Sequence, residues 1–234
     1  KIGCPPKLHS LTVSFHTDMY STVSYNGATS KPFPISSGVK QGCVLAPTLF
    51  GIFFSMLLSH AFKENEDGVY LHTRSDGKLF NLARLRAKTK VRHVTIREAL
   101  FADDAAIATH TEEALQRLID RFALACSEFG LTISIKKTEV TGQGTYVPPS
   151  LDIGSQELNT VEKFQYLGSV ISANLSLEPE INSKIAKASA VMSKLHKRVW
   201  SNNNLSVNTK MQVYRACVLS TLLYSSESWT SYAA

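Results

Sequence analysis

Leu100-Phe101-Ala102-Asp103-Asp104-Ala105-Ala106-Ile107-Ala108 sets two short apolar runs on either side of adjacent carboxylates. The pattern predicts a β-hairpin with the acidic pair at its tip. In a regular strand neighbouring side chains point to opposite faces, whereas at a turn both can approach one site. Carboxylates that close repel each other, and a divalent cation is the natural relief; the hard oxygens of aspartate suit Mg²⁺ or Mn²⁺. Aspartate is also common in ordinary turns. The dipeptide alone therefore does not separate a metal site from a surface loop.

Moving outward from the pair, the stretch from Lys78 to Arg97 holds seven Lys or Arg and no acid. Arg84, Arg86, Lys88, Lys90 and Arg92 alternate there with Leu85, Ala87, Thr89 and Val91. Period-two alternation predicts a strand with its cations on one face, a layout suited either to phosphates or to a solvated sheet edge. Earlier in the chain, Pro5 and Pro6 open a short helix, and Tyr20–Tyr25, Asn26-Gly27 and Thr29–Ile35 read as a hairpin with a type I′ turn. The run from Pro47 to about Phe62 predicts an apolar helix covered on several sides.

After the acidic pair, Thr111 caps a helix with Leu115, Leu118, Ile119, Phe122 and Cys126 on one face, and Gly130 ends it. Leu131–Ile135, Leu151–Asn159 and Phe164–Ile171 read as strands, with a Gly- and Pro-rich loop at Gly142–Pro149. Beyond Glu178 two helices follow. The first is expected to bury Ile181, Ile185, Ala188, Met192, Leu195 and Val199, and the second starts at the cap Ser206. The element order predicts an α+β fold, a sheet with helices packed on one face, in residues 1–174, followed by a small helical domain in 175–234.

The 234 residues suffice to bury a sizeable core, and 44% apolar with 19% charged residues excludes a disordered tail, a collagen-like fibre or a coiled coil. With 25 Lys and Arg against 19 Asp and Glu, the net charge of +6 points to an anionic partner such as nucleic acid. Cys4, Cys43, Cys126 and Cys217 stand far apart, at no zinc spacing, which predicts a reducing intracellular compartment, nucleus or cytoplasm. The uncharged stretch from Gln41 to Phe62 is interrupted by Pro47, Thr48, Ser55, Ser59 and His60, so a membrane span is not expected. The absence of a starting Met and of an apolar leader suggests an internal fragment.

A second motif lies upstream of the acidic pair, Ser37-Gly38-Val39-Lys40-Gln41-Gly42-Cys43-Val44-Leu45-Ala46-Pro47-Thr48-Leu49-Phe50. It resembles the second conserved block of reverse transcriptases from non-LTR (LINE-type) retrotransposons, and Phe101-Ala102-Asp103-Asp104 resembles their third. Gly130–Val140 is similar to the fourth block and Phe164–Ser169 to the fifth, the primer-grip region; Leu222–Trp229 looks like the segment past the thumb. The order and spacing agree along essentially the whole chain. Ala46 in place of Ser and Phe101 in place of Tyr are mild departures.

The resemblance implies a partial polymerase palm, then a thumb. It implies attack of a primer 3′-hydroxyl on a dNTP, directed by an RNA template, with two Mg²⁺ or Mn²⁺ ions roughly 4 Å apart neutralising charge. Asp103 would be the principal ligand and Asp104 its partner. Gly38, Gln41 and Gly42 would approach the incoming nucleotide, Lys137 would assist the pyrophosphate, with Lys136 as rival, and Phe164, Tyr166, Leu167 and Gly168 would position the DNA primer. Lys184, Lys187, Lys194, Lys197 and Arg198 would meet the duplex backbone, or else form a solvated helix face.

The family's first block, with a further metal-binding aspartate, would precede Lys1, as would fingers and nuclease segments. The isolated chain is therefore expected to be inactive. A non-catalytic nucleic-acid-binding remnant is the alternative, and an RNA-templated RNA polymerase a weaker one.

Overall fold

A computed structural model describes residues 3–40, 42–74 and 91–229. They fall in two compact units, Lys1–Met56 and Leu57–Ala234.

In the first unit Pro5, at φ −59° and ψ 141°, leads into helix α1 (Pro6–His16), where the proline's fixed φ and missing N–H cost nothing. Two nested antiparallel pairs follow. Strand β1 (Met19–Ser21) pairs with β4 (Phe33–Ile35), and within them β2 (Ser24–Tyr25) pairs with β3 (Ala28–Thr29). Asn26 and Gly27 turn the inner pair with φ of 49° and 79°, the two positive values that a type I′ turn requires. Helix α2 (Ala46–Ala61), whose residues from Leu57 onward count with the second unit, begins at the expected place. It is less enclosed than its composition predicts, since Ala46, Leu57 and Ala61 are buried while Met56 is 48% exposed. No helix among the described residues is long and apolar enough to cross a membrane.

The second unit pairs β5 (Val69–Arg74) with β6 (Val91–Ile96), and β7 (Glu98–Phe101) with β8 (Asp104–Ile107). Helix α3 (Glu112–Glu128) carries the capping signals read from the sequence. The Thr111 side chain accepts the Ala114 N–H. At the other end Leu131 N–H bonds the Cys126 carbonyl and Gly130 N–H that of Ser127. This double closure is a Schellman motif, which needs a left-handed residue, here Gly130 at φ 73°. Removing the N-terminal cap with Thr111→Ala is expected to cost about 1 kcal/mol in urea unfolding.

One face of α3 buries Ala114, Leu118, Ala125 and Cys126. Leu115 and Ile119, with Ile135 and Ile153, pack against a cluster of Val140, Leu151 and Leu158, while Phe122 stacks on Phe62 with ring centroids 6.1 Å apart. Polar contacts fix the register. Gln116 both donates to the Asp152 carbonyl and accepts from its N–H, and Arg117 bonds Asp67 through two nitrogens, which holds the Asp67 carboxyl below the usual carboxylate range.

Three strand expectations need correction. Residues 131–135 form no strand; the N–H groups of Lys137 and Thr138 instead close on Ser134, making a 3₁₀ turn at Ile135–Lys137. The 151–159 stretch is itself folded back, β10 (Asp152–Ile153) on β11 (Gln156–Glu157), while β9 (Glu139–Val140) pairs in parallel with β12 (Asn159–Thr160). The 164–171 stretch is likewise a hairpin, β13 (Lys163–Tyr166) with β14 (Ser169–Ser172). Leu167 and Gly168 turn it at φ 48° and 82°, the two positive values of a tight two-residue reversal. The described strands thus form two-stranded ladders, most of them antiparallel, mixed with helices.

Helix α4 (Glu178–Lys194) continues through a widened π turn at His196–Trp200. Then Ser206 caps α5 (Val207–Val213), its side chain accepting the Thr209 N–H, before a second π turn at Tyr214–Leu219. The buried face of α4 is the expected one only in part: Ala188 and, in the π turn, Val199 are buried as read from the sequence. Ile181, Ile185 and Met192 are 36%, 48% and 40% exposed, whereas Glu180 and Lys184 are 2% exposed beside buried Ala188. Two opposite charges at i and i+4 neutralise each other, so the helix can bury a face that periodicity assigns to solvent.

Candidate active site

The β7–β8 hairpin places Ala102 and Asp103 at its two-residue turn and Asp104 as the first residue of β8, opposite Phe101. The acidic pair therefore straddles the turn and the strand, one residue later than a tip made of both aspartates. Ala102 has φ 53° while Asp103 stays out of the left-handed region, as in a type II′ turn, a position that most often holds glycine. Both aspartates are exposed, and among the described residues neither has an ion-pair partner.

Their oxygens are the hard donors a divalent cation prefers. No group of three His, Cys, Asp or Glu side chains that could hold a metal ion occurs among the described residues. Two carboxylates are fewer ligands than such an ion takes.

Beside the acidic hairpin lies β13–β14. The Tyr166 hydroxyl donates to the Ala99 carbonyl at 3.0 Å, joining the two hairpins, and the Phe164 and Tyr166 rings stack at 6.4 Å. Burial pushes the Tyr166 phenol above its ordinary range, and the Asp104 carboxylate pushes it further in the same direction. Because burial is the larger cause, Asp104→Asn is expected to return only the smaller part of the shift. A ¹³C-tyrosine NMR titration checks this, and a full return to the ordinary value would contradict it.

The turn of β13–β14 is held from the C-terminal side. Lys184 Nζ donates to the Gly168 carbonyl at 2.9 Å, pairs with Glu180 at 3.4 Å and lies 4.5 Å from the centre of the Tyr224 ring. The Tyr224 hydroxyl donates to the Leu167 carbonyl at 3.1 Å, and Glu180 accepts the Val170 N–H at 2.7 Å. The sequence places Lys184 either on a duplex backbone or on a solvated helix face; at 2% exposure it is an internal ligand of the turn instead. Lys187, Lys194, Lys197 and Arg198 are exposed. The sequence offered no signal for this role, since Glu180 and Lys184 at i, i+4 look like any solvated helix pair.

The remaining predicted residues are placed as follows. Gly38 and Gly42 have φ of 90° and 82° in an exposed loop of the first unit, conformations that favour glycine. Lys136 and Lys137 are exposed on the 3₁₀ turn, and neither is ion-paired to the acidic pair. Arg92 is exposed on β6. Gln41, Arg84, Arg86, Lys88 and Lys90 lie outside the described residues.

Residues 1–171 match the family described as reverse transcriptase (RNA-dependent DNA polymerase). The chain is similar to the RNA-directed DNA polymerases from the mobile element jockey of Drosophila melanogaster and Drosophila funebris, 23% and 24% identical over 228 residues. In both cases the match covers 94% of this chain and 22% of the relative. A transposon-derived protein of Caenorhabditis elegans is 28% identical over 143 residues, which is 56% of this chain and 47% of that protein. The chain thus spans under a quarter of the length of its Drosophila relatives.

Proposed function

This chain belongs to the reverse transcriptase (RNA-dependent DNA polymerase) family, and from that premise we propose that it is a palm-and-thumb portion of a non-LTR (LINE-type) retrotransposon polymerase. On this reading it extends a DNA primer with dNTPs along an RNA template as part of a longer polypeptide with upstream fingers and nuclease segments. The observation that carries it is the β7–β8 hairpin, which presents Asp103 on its turn and Asp104 beside it, both exposed, next to the aromatic hairpin at Phe164–Gly168.

Asp103 and Asp104 would hold divalent ions, Mg²⁺ or Mn²⁺, which when bound neutralise charge on the reacting phosphate. The chain's own residues do the positioning. Phe164, Tyr166, Leu167 and Gly168 align the primer end, and Gly38, Gln41 and Gly42 admit the incoming nucleotide, since glycine lets a ligand approach the backbone. Lys137 supplies a positive charge or a proton to the departing pyrophosphate. Arg84, Arg86, Lys88, Lys90 and Arg92 hold phosphates of the duplex, a contact that weakens as salt rises. Residues 1–174 act as palm and 175–234 as thumb, and the protein works inside the cell, in nucleus or cytoplasm, where RNA and dNTPs occur.

The test is extension of a DNA primer on an RNA template by a polypeptide that contains this chain with its upstream segments, supplied with dNTPs and Mg²⁺. Extension that requires the template supports the reading. Tight duplex binding without synthesis would mean a nucleic-acid-binding remnant instead.

A further inference from the structure

The turn at Leu167–Gly168 is in an unusual position mechanically. One side faces a cavity of about 930 Å³ lined by Leu167, Val170, Leu175, Tyr224 and Trp229 among others, so close packing does not hold it there. Its backbone is also strained, because Leu167 sits at φ 48°, a left-handed conformation that disfavours a residue with a side chain. Gly168 at φ 82° is in a conformation that favours glycine, and a Cβ there would make a tight 3.3 Å contact with the Tyr224 ring. The β13–β14 ladder closes the turn from within the hairpin, and further contacts reach it from outside.

We propose that Tyr224 and Lys184 are positioning residues that hold the Leu167–Gly168 turn by its two carbonyls, so that the C-terminal helices set the geometry of the hairpin beside the acidic pair. The proposal rests on the polymerase reading for its consequence and on the contacts alone for its mechanism. Each carbonyl has its own donor, Tyr224 Oη for Leu167 and Lys184 Nζ for Gly168. The two donors also hold each other, since the ammonium lies over the tyrosine ring. Glu180 closes the arrangement by neutralising Lys184 and accepting the next free N–H of the hairpin, that of Val170. From the turn the connection runs on through Tyr166 to the Ala99 carbonyl, on the strand that leads to Asp103. A shift of the C-terminal helices is therefore transmitted to the hairpin that would align a primer end.

The experiment uses a polypeptide that carries this chain with its upstream segments, and two variants of it. Tyr224→Phe removes one hydroxyl and leaves the ring under Lys184, while the pair Glu180→Leu with Lys184→Met removes both buried charges together. Amide hydrogen exchange of residues 167–170 is expected to accelerate about fivefold in the first variant and at least about tenfold in the second, with the amides of Glu112–Glu128 unchanged. In parallel, the preference for a duplex with a recessed 3′ end over a blunt duplex of equal length is expected to fall about fivefold in Tyr224→Phe, reflecting loss of a hydrogen bond of ordinary strength. Wild-type exchange rates at the turn in both variants overturn the proposal, and so does a uniform acceleration across the chain, which signals general destabilisation. A loosened turn with an unchanged end preference overturns the positioning role. If the wild-type polypeptide bound neither duplex, the polymerase reading would fall while the exchange measurement still decides the clamp.

Discussion

Asp103→Ala, introduced into a polypeptide that carries this chain and its upstream segments, is expected to lower templated primer extension by about a thousandfold or more while leaving duplex affinity within about twofold. The asymmetry follows from where the side chain stands. It is exposed on a hairpin turn and makes no ion pair within the described residues, so its removal leaves the hairpin's ladder and the packing around α3 intact. On the proposed reading, what is lost is an oxygen ligand for the ions that would act at the reacting phosphate, a contribution of several kcal/mol to the barrier. Asp104→Ala is expected to have a smaller effect, because Asp104 begins the strand and approaches the site from the ladder. Primer extension across a Mg²⁺ series measures both. Extension by Asp103→Ala at the wild-type rate would remove the metal assignment and with it the case for synthesis.

The largest effect on stability is expected at Glu180. Both members of the Glu180–Lys184 pair are 2% exposed, and deleting one leaves the other as an uncompensated buried charge. Glu180→Leu should therefore cost about 3–5 kcal/mol, and Lys184→Met a similar amount. The double variant should be far less damaging than the sum, because apolar side chains of similar volume in a buried site need no partner. It remains worse than neutral, since the Gly168 carbonyl loses its donor and the Val170 N–H its acceptor. Urea unfolding of the two single variants and the double variant gives the coupling energy. Simple additivity would mean that the pair does not act as a unit.

This pair also shows how far a sequence pattern reaches. The cap at Thr111, the stop at Gly130, the helix start at Pro6 and the turn at Asn26-Gly27 were all legible, because each depends on the residues within one turn of chain and on rules of backbone hydrogen bonding. The hairpins inside 151–159 and 163–172 were missed. Their turns fall at Gly154-Ser155 and Leu167-Gly168; the glycines there were signals of a reversal that reading each stretch as one strand passed over. The face that α4 buries was also misread in part, since periodicity ranks side chains by hydropathy and cannot know that a carboxylate and an ammonium will neutralise each other beneath a tyrosine ring.

The candidate site divides along the same line. Asp103, Asp104, the glycines at 38 and 42, and the aromatic stretch at Phe164–Gly168 stood out from motif order alone, and so did the family. Residue order along the chain is a one-dimensional property, and the blocks keep theirs. The fold alone decided that Lys184 serves the Gly168 carbonyl and not a phosphate, and that Tyr166 reaches across to Ala99. It also decided that Asp104 opens a strand while Asp103 occupies the turn. Those facts depend on which distant segments meet, and whether a polar group is buried with a partner or left to water is settled only when they do.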